Sequence, residues 1–130
     1  MIVVDTSVWI DALRGADRPT VETLQRLIDE REVGLAEPVR VEILSGASRA
    51  AFARVLRALE GLPLLRPADA CWRRIEEWLP RAVASGNRFG VADLLIAAIA
   101  AEQGATVWSR DGDFARMAAL GWVETYDPRS

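Results

Sequence analysis

Histidine and lysine are both absent from this 130-residue sequence, and cysteine occurs once, as Cys71. Without His there is no imidazole general base, no His-based triad and no His zinc ligand. Without Lys, Walker-type phosphate loops, Schiff-base chemistry and Lys-assisted phosphotransfer drop out together, since all 16 basic residues are Arg. One Cys builds neither a disulfide framework nor a Cys-rich metal site. The longest strongly apolar run, from Leu94 to Ala101, falls far short of the roughly 20 residues a bilayer span needs. The opening Met-Ile-Val-Val-Asp lacks the basic segment of a signal peptide, so the expected location is the cytoplasm, with no membrane partner. Any chemistry is left to carboxylates, hydroxyls, Arg and a borrowed metal ion.

What is present reads as a soluble globular chain, 51% apolar and 27% charged, and the length suits a single domain over residues 1–130. No internal repeat, low-complexity tract or linker interrupts it. Ile2-Val3-Val4 reads as a buried strand ending at Asp5, with Thr6 and Ser7 as N-caps of a helix that Gly15 stops. Pro19 and Thr20 open a second helix, Val33 to Ala36 is a second strand, and Pro38 suits the first turn of a helix running to Gly46. Ala50 to Leu59 is an amphipathic helix. Leu62 to Leu65 is a strand candidate that Pro63 restricts to an edge or a loop. Ala68 to Ala84 is helical, with Cys71, Trp72, Ile75, Trp78 and Leu79 on one apolar face, and Pro80 is expected to kink or split it. A polar loop from Ser85 to Gly90 leads to the most apolar helix, Ala92 to Ala101. Ala105 to Trp108 is a strand, Phe114 to Leu120 a helix and Trp122 to Tyr126 a last strand. This alternation predicts an α/β fold, a three-layer α/β/α sandwich around a central, mostly parallel sheet.

In open α/β sheets ligands gather beyond the carboxyl ends of the strands, and the acids fall there. Asp5 follows the first strand directly. Asp111 and Asp113 follow the Ala105–Trp108 strand, Asp93 sits in the first turn of the apolar helix, and Glu42 lies one turn into the helix that Pro38 opens. Each has an ordinary explanation: a macrodipole partner for Asp93, a solvent-facing position for Glu42, an Asp-Gly turn with an N-cap for Asp111 and Asp113. Asp5 is hardest to explain away, because Thr6 or Ser7 could cap in its place. The whole set on one sheet edge points to function. Two unit charges about 4 Å apart repel by roughly 4 kcal/mol at an effective dielectric of 20, so such a cluster asks for protons or a bridging cation. Hard oxygen donors without His or Cys suit Mg²⁺ or Mn²⁺, not zinc.

Four stretches carry a family resemblance: Val4-Asp5-Thr6-Ser7, Glu42 after Pro38, Asp93-Leu94-Leu95-Ile96-Ala97-Ala98, and Ser109-Arg110-Asp111-Gly112-Asp113-Phe114. In this order and spacing the chain resembles the PIN domain, in particular the VapC-like toxins of type II toxin–antitoxin pairs, over nearly its whole length. The resemblance implies a PIN-like fold and a metal-dependent endoribonuclease held inactive by a cognate antitoxin. It also implies a homodimer, or a toxin–antitoxin hetero-oligomer. Carried over, Asp5, Glu42, Asp93 and Asp111 form the catalytic and metal-binding quartet for Mg²⁺, with Mn²⁺ as a substitute. Asp113 is an accessory acid, and Thr6 and Ser7 help hold the site. In that scheme Asp5 and Asp93 ligate metal directly, and Glu42 and Asp111 bind a second ion or orient water, so that metal-activated water attacks the RNA phosphodiester.

The formal charge is −3, and setting the five candidate site acids aside leaves +2 for the rest, so a pI of about 5.0 does not oppose an RNA substrate. Arg110 and Arg88 lie nearest the acids in sequence and are the candidate RNA-phosphate contacts. The five tryptophans read as core or dimer-interface residues, and Trp9 with the helices carrying Leu24 and Leu56 is a candidate antitoxin groove. Two rivals remain. A receiver domain or aspartate-nucleophile phosphatase shares the strand-end Asp but relies on a Lys, and the phosphatase wants an acid where Ser7 stands. A catalytically silent PIN module would act by RNA binding or dimerisation alone.

Overall fold

The computed structural model describes residues 1–15 and 17–129. Ile2–Val4 (β1) is an entirely buried apolar triplet, as a strand covered on both faces must be. Asp5 alone separates it from helix Thr6–Arg14 (α1). There follow Arg18–Asp29 (α2), Val33–Ala36 (β2), Glu37–Gly46 (α3), Phe52–Leu59 (α4) and Leu64–Leu65 (β3). The second half runs Asp69–Ala84 (α5), Val91–Gln103 (α6), Thr106–Trp108 (β4), Gly112–Ala119 (α7) and Glu124–Thr125 (β5). The five strands form one sheet in the order β3-β2-β1-β4-β5, and every pairing is parallel. The order of strands reverses between β1 and β4. Because parallel crossovers are right-handed, that reversal distributes the seven helices of the described residues over both faces of the sheet, which is the expected three-layer α/β/α sandwich.

The core fills the space between sheet and helices. Val3, Val4, Val39, Ile96, Ala97, Ala98 and Val107 are fully buried. The alanines of α6 let that helix lie close against the sheet without a bulky side chain intervening. Gly34 of β2 leaves room for neighbouring side chains instead, since a Cβ there would stand 2.7 Å from Leu65 Cδ1 and 2.8 Å from Met1 Sδ. Away from the strand ends, Trp78 of α5 stacks on Trp122, with ring centroids 4.6 Å apart and planes within 3°. Among the described residues no helix is long and apolar enough to cross a membrane.

Four expectations need correction. The N-cap of α1 is Asp5, not Thr6 or Ser7: the Asp5 carbonyl accepts from the Val8 and Trp9 amides at 3.1 and 3.2 Å. Strand and helix are separated by that one residue, so no other is left to serve as the N-cap. Helix α5 is not split at Pro80. Pro80 and Glu76, whose carbonyl loses its donor, are both exposed, so water can serve that carbonyl. Trp72 and Leu79 do not join the buried face of α5; they are 47% and 44% exposed, and Ala82 completes the face with Cys71, Ile75 and Trp78. Finally, Trp9 and Leu24 do not line an open groove. Both are buried, because α1 and α2 pack on each other and on the core. Pro63 behaves as its chemistry requires at an edge: it contributes only its carbonyl, which accepts from the Leu35 amide at 2.8 Å.

Candidate active site

The carboxyl ends of β1 and β4 lie side by side, since Val4 pairs with Trp108, and each strand runs directly into site residues. Asp5 leaves β1 with extended backbone (ψ 156°) and is 5% exposed, the only buried carboxylate among the described residues. Its main chain is fully used: the amide donates to the Trp108 carbonyl at 2.8 Å and its carbonyl accepts the first helical bonds of α1. The side chain is left for other work. Ser7 Oγ and Ser109 Oγ both donate to Asp5 Oδ2, at 2.8 and 2.7 Å. With their single protons so committed, the two hydroxyls accept backbone amides, Ser7 from Arg110 at 3.1 Å and Ser109 from Asp111 at 2.9 Å. Asp5 thereby fixes the loop that carries the second group of acids, and it holds Oδ1 in a set direction.

That second group is tight. Asp93, Asp111 and Asp113 each offer a carboxylate oxygen, all within 4.8 Å of one another. Asp111 Oδ1 accepts the Asp113 amide at 2.9 Å and so caps α7, the ordinary role for an acid at that position, yet its other oxygen remains for the cluster. Asp113 is partly neutralised by Arg116 one turn on. Asp93 lies in the first turn of α6, whose N-cap is Gly90, so it is not itself the cap. Burial, then the charges of Asp111, Asp5 and Asp113, then a hydrogen bond with Asp113 raise its pKa from 3.8 to about 7. Asp5 therefore acts on the cluster electrostatically, although it lies outside the group of three. Glu42 is exposed on α3 and is tied to the start of α1 by a hydrogen bond from Thr6 Oγ1 at 2.8 Å.

The two candidate phosphate-binding arginines differ. Arg88 is exposed and makes no ion pair among the described residues. The Arg110 guanidinium is occupied: Nε lies 2.6 Å from Asp11 Oδ2, and its terminal nitrogen donates to Asp17 Oδ2 at 2.8 Å and to Thr20 Oγ1. Asp17 in turn is held below the usual carboxylate range, first by the Thr20 hydroxyl and also by Arg110. Beside this clamp a cavity of about 660 Å³ opens, walled by Thr20, Arg110, Phe114, Tyr126 and Arg129. Sequence reasoning missed Asp11 and Asp17, and it read Thr20 only as a helix opener, not as a partner of Arg110. It also missed Ser109 as the link between the two acid-bearing strands. A serine at a strand end beside an Asp-Gly turn was the available signal for the latter.

An all-parallel α/β sandwich with converging carboxylates at the carboxyl ends of its two central strands defines a class of acid-centred α/β domains. Within that class the chain belongs to the PIN-domain family, whose model it matches over residues 2–120. It is 33% identical over 125 residues to Ribonuclease VapC11 of Mycobacterium tuberculosis, covering 92% of this chain and 93% of that one. In structure it is similar to VapBC2 from Rickettsia felis, solved bound to a DNA fragment from their promoter, with a TM-score of 0.80, 17% identity and 97% and 98% of the two chains covered. It is also similar to VapBC-5 from Mycobacterium tuberculosis, a member of the VapBC family of toxin-antitoxin systems. There the TM-score is 0.64, the identity 25% and the coverage 95% and 94%.

Proposed function

We propose that this chain is a single-domain, divalent-metal-dependent endoribonuclease, the toxin of a type II toxin–antitoxin pair acting in the cytoplasm. The observation that carries this reading is the meeting of Asp93, Asp111 and Asp113 within 4.8 Å, beside Asp5. This happens in a chain without His or Lys, where no other side-chain chemistry of comparable reach is available. Similarity to a ribonuclease over most of the chain supports the reaction class. Similarity to a toxin–antitoxin member supports a protein antitoxin as partner and a hetero-oligomer as the resting form.

The donor set fits a hard cation: several carboxylate oxygens, no sulfur or nitrogen, and an Asp93 whose pKa burial and the neighbouring carboxylates together raise to about 7. Asp93, Asp111, Asp5 and Glu42 would hold Mg²⁺, or Mn²⁺ in its place, with Asp113 accessory. When bound, the ion supplies Lewis-acid activation of water and of the scissile phosphate. The chain's own residues provide the rest. Ser7 and Ser109 fix the direction of Asp5, and Thr6 donates to the exposed carboxylate of Glu42. Asp111 is held by the α7 cap, and Arg116 keeps Asp113 from adding its full charge. Of the two arginines nearest the acids in sequence, Arg88 is the one without an ion pair among the described residues and so open to an RNA phosphate.

A homodimer has a candidate surface in the same reading. Val41, Trp72 and Val91, 59%, 47% and 66% exposed, ring an apolar notch with Glu42 on its rim. A second copy seated there would cover the tryptophan that α5 leaves in solvent. The decisive experiment is cleavage of total cellular RNA by purified protein, with Mg²⁺ or with EDTA, by the wild type and by Asp93→Asn. Discrete metal-dependent fragments that the variant fails to produce support the nuclease. A folded wild-type protein that cuts nothing under either condition favours a silent RNA-binding module.

A further inference from the structure

Arg110 stands immediately before Asp111, and its geometry is unlike that of a substrate-binding arginine. Its amide is anchored by Ser7 at the start of α1. Its guanidinium reaches Asp11 two-thirds of the way along the same helix, then Asp17 and Thr20 at the start of α2. Thr20 is one of only two buried polar or charged residues described, 5% exposed, and donates to Asp17 Oδ2 at 2.6 Å, which turns its lone pair towards Arg110. One planar fork thus joins three partners on two helices. The two carboxylates already outweigh its charge. An RNA phosphate could recruit this group only by displacing them.

We propose that Arg110 is a positioning residue: clamped by Asp11, Asp17 and Thr20, it sets the backbone from which Asp111 and Asp113 project, and it does not bind RNA. Each exposed ion pair alone contributes little. Held together, the three contacts leave residues 109–111 little freedom, because Ser109 Oγ, Ser7 Oγ and the guanidinium fix successive points along the loop. Lysine would keep the charge but lose the fork, reaching one partner at a time. The kinetic part of this inference rests on the nuclease reading above; the geometric part does not.

The test compares wild type, Arg110→Ala, Arg110→Lys, Asp17→Asn and the Arg110→Ala/Asp17→Asn double variant by two readouts. The first is amide hydrogen exchange of residues 109–113 in metal-free protein without RNA. The clamp predicts exchange about tenfold faster in both single losses, with the rest of the sheet unchanged, and Arg110→Lys intermediate. The second is RNA cleavage: kcat should fall about tenfold with KM nearly constant. The double variant should be no worse than Arg110→Ala, because both changes break one unit. Unchanged exchange overturns the proposal. So does a raised KM with kcat retained and the salt slope of RNA binding reduced by about one, the mark of a lost phosphate contact. Should Arg110→Ala fail to fold, Arg110→Lys and Asp17→Asn carry both readouts. If the wild type cuts no RNA, the nuclease reading fails while exchange still decides the clamp.

Discussion

Replacing Asp93 with Asn removes one charge from a place where several already compete, with almost no change of shape. In the metal-free protein its pKa stands at about 7 against 3.8 for an ordinary aspartate. The folded state therefore binds more protons than the unfolded chain between these values. Stability from this group is full below about pH 4, is lost as pH rises towards 7, and stays lost above. Taken whole, a shift of that size corresponds to about 4 kcal/mol. Asp93 is only half-buried, however, and solvent screening reduces the effect to about 1–2 kcal/mol. At pH 8 in EDTA, Asp93→Asn should thus melt about 3–8 °C above wild type, and the two should converge near pH 4. Thermal melts across that range provide the assay. Adding Mg²⁺ should reverse the ranking, since a ligand at about a hundred times its Kd stabilises the form that binds it by about 2.7 kcal/mol. Curves that run parallel across pH, or a variant less stable than wild type at pH 8, would refute the electrostatic account of the cluster.

Other perturbations probe the scaffold. Pro80→Ala restores a helical amide on an exposed face of α5 and should raise the denaturation midpoint, by about 1–3 kcal/mol in stability; an unchanged or lower midpoint would show that the helix needs its proline. Gly34→Ala drives a methyl group against Leu65 and Met1 and should cost about 1–2 kcal/mol by urea titration, recovered in part by Leu65→Val. Trp78→Ala removes the stacking partner of Trp122 and should cost about 3–5 kcal/mol, with loss of the near-ultraviolet exciton signal of the pair.

Much of the architecture was legible because its physics is local. A buried parallel strand must be apolar throughout, so Ile2–Val4 and Val33–Ala36 announce themselves, and Asp5 is conspicuous as the polar residue that ends the first. Helix α6 is apolar on nearly every side and bounded by glycines, hence equally plain. What failed depended on contacts between distant segments. Trp72 fits a helical apolar stripe, and only the position of α3 and α6 leaves it in solvent. The acids could be placed on one edge from strand ends alone. Their spacing could not, and nor could the division between the compact Asp93–Asp111–Asp113 group and the outlying Glu42. Arg110 illustrates the limit well: adjacency to Asp111 in sequence suggested a phosphate contact, whereas its partners lie 90 to 99 residues earlier in the chain.

The adjacency of β1 and β4 has a consequence for biosynthesis. Asp5 is made well before Ser109, which orients it and lies 104 positions later. Until β4 has been synthesised and inserted beside β1, the nascent chain carries Asp5, Glu42 and Asp93 without the loop that completes their surroundings. A product terminated before that loop would therefore lack Ser109, Asp111 and Asp113, and the site would be complete only once β4 and the loop after it had been translated. Parallel pairing between segments so far apart is also slow to form. Together these delays give any neutralising partner made beforehand an interval in which to meet the chain before it can act.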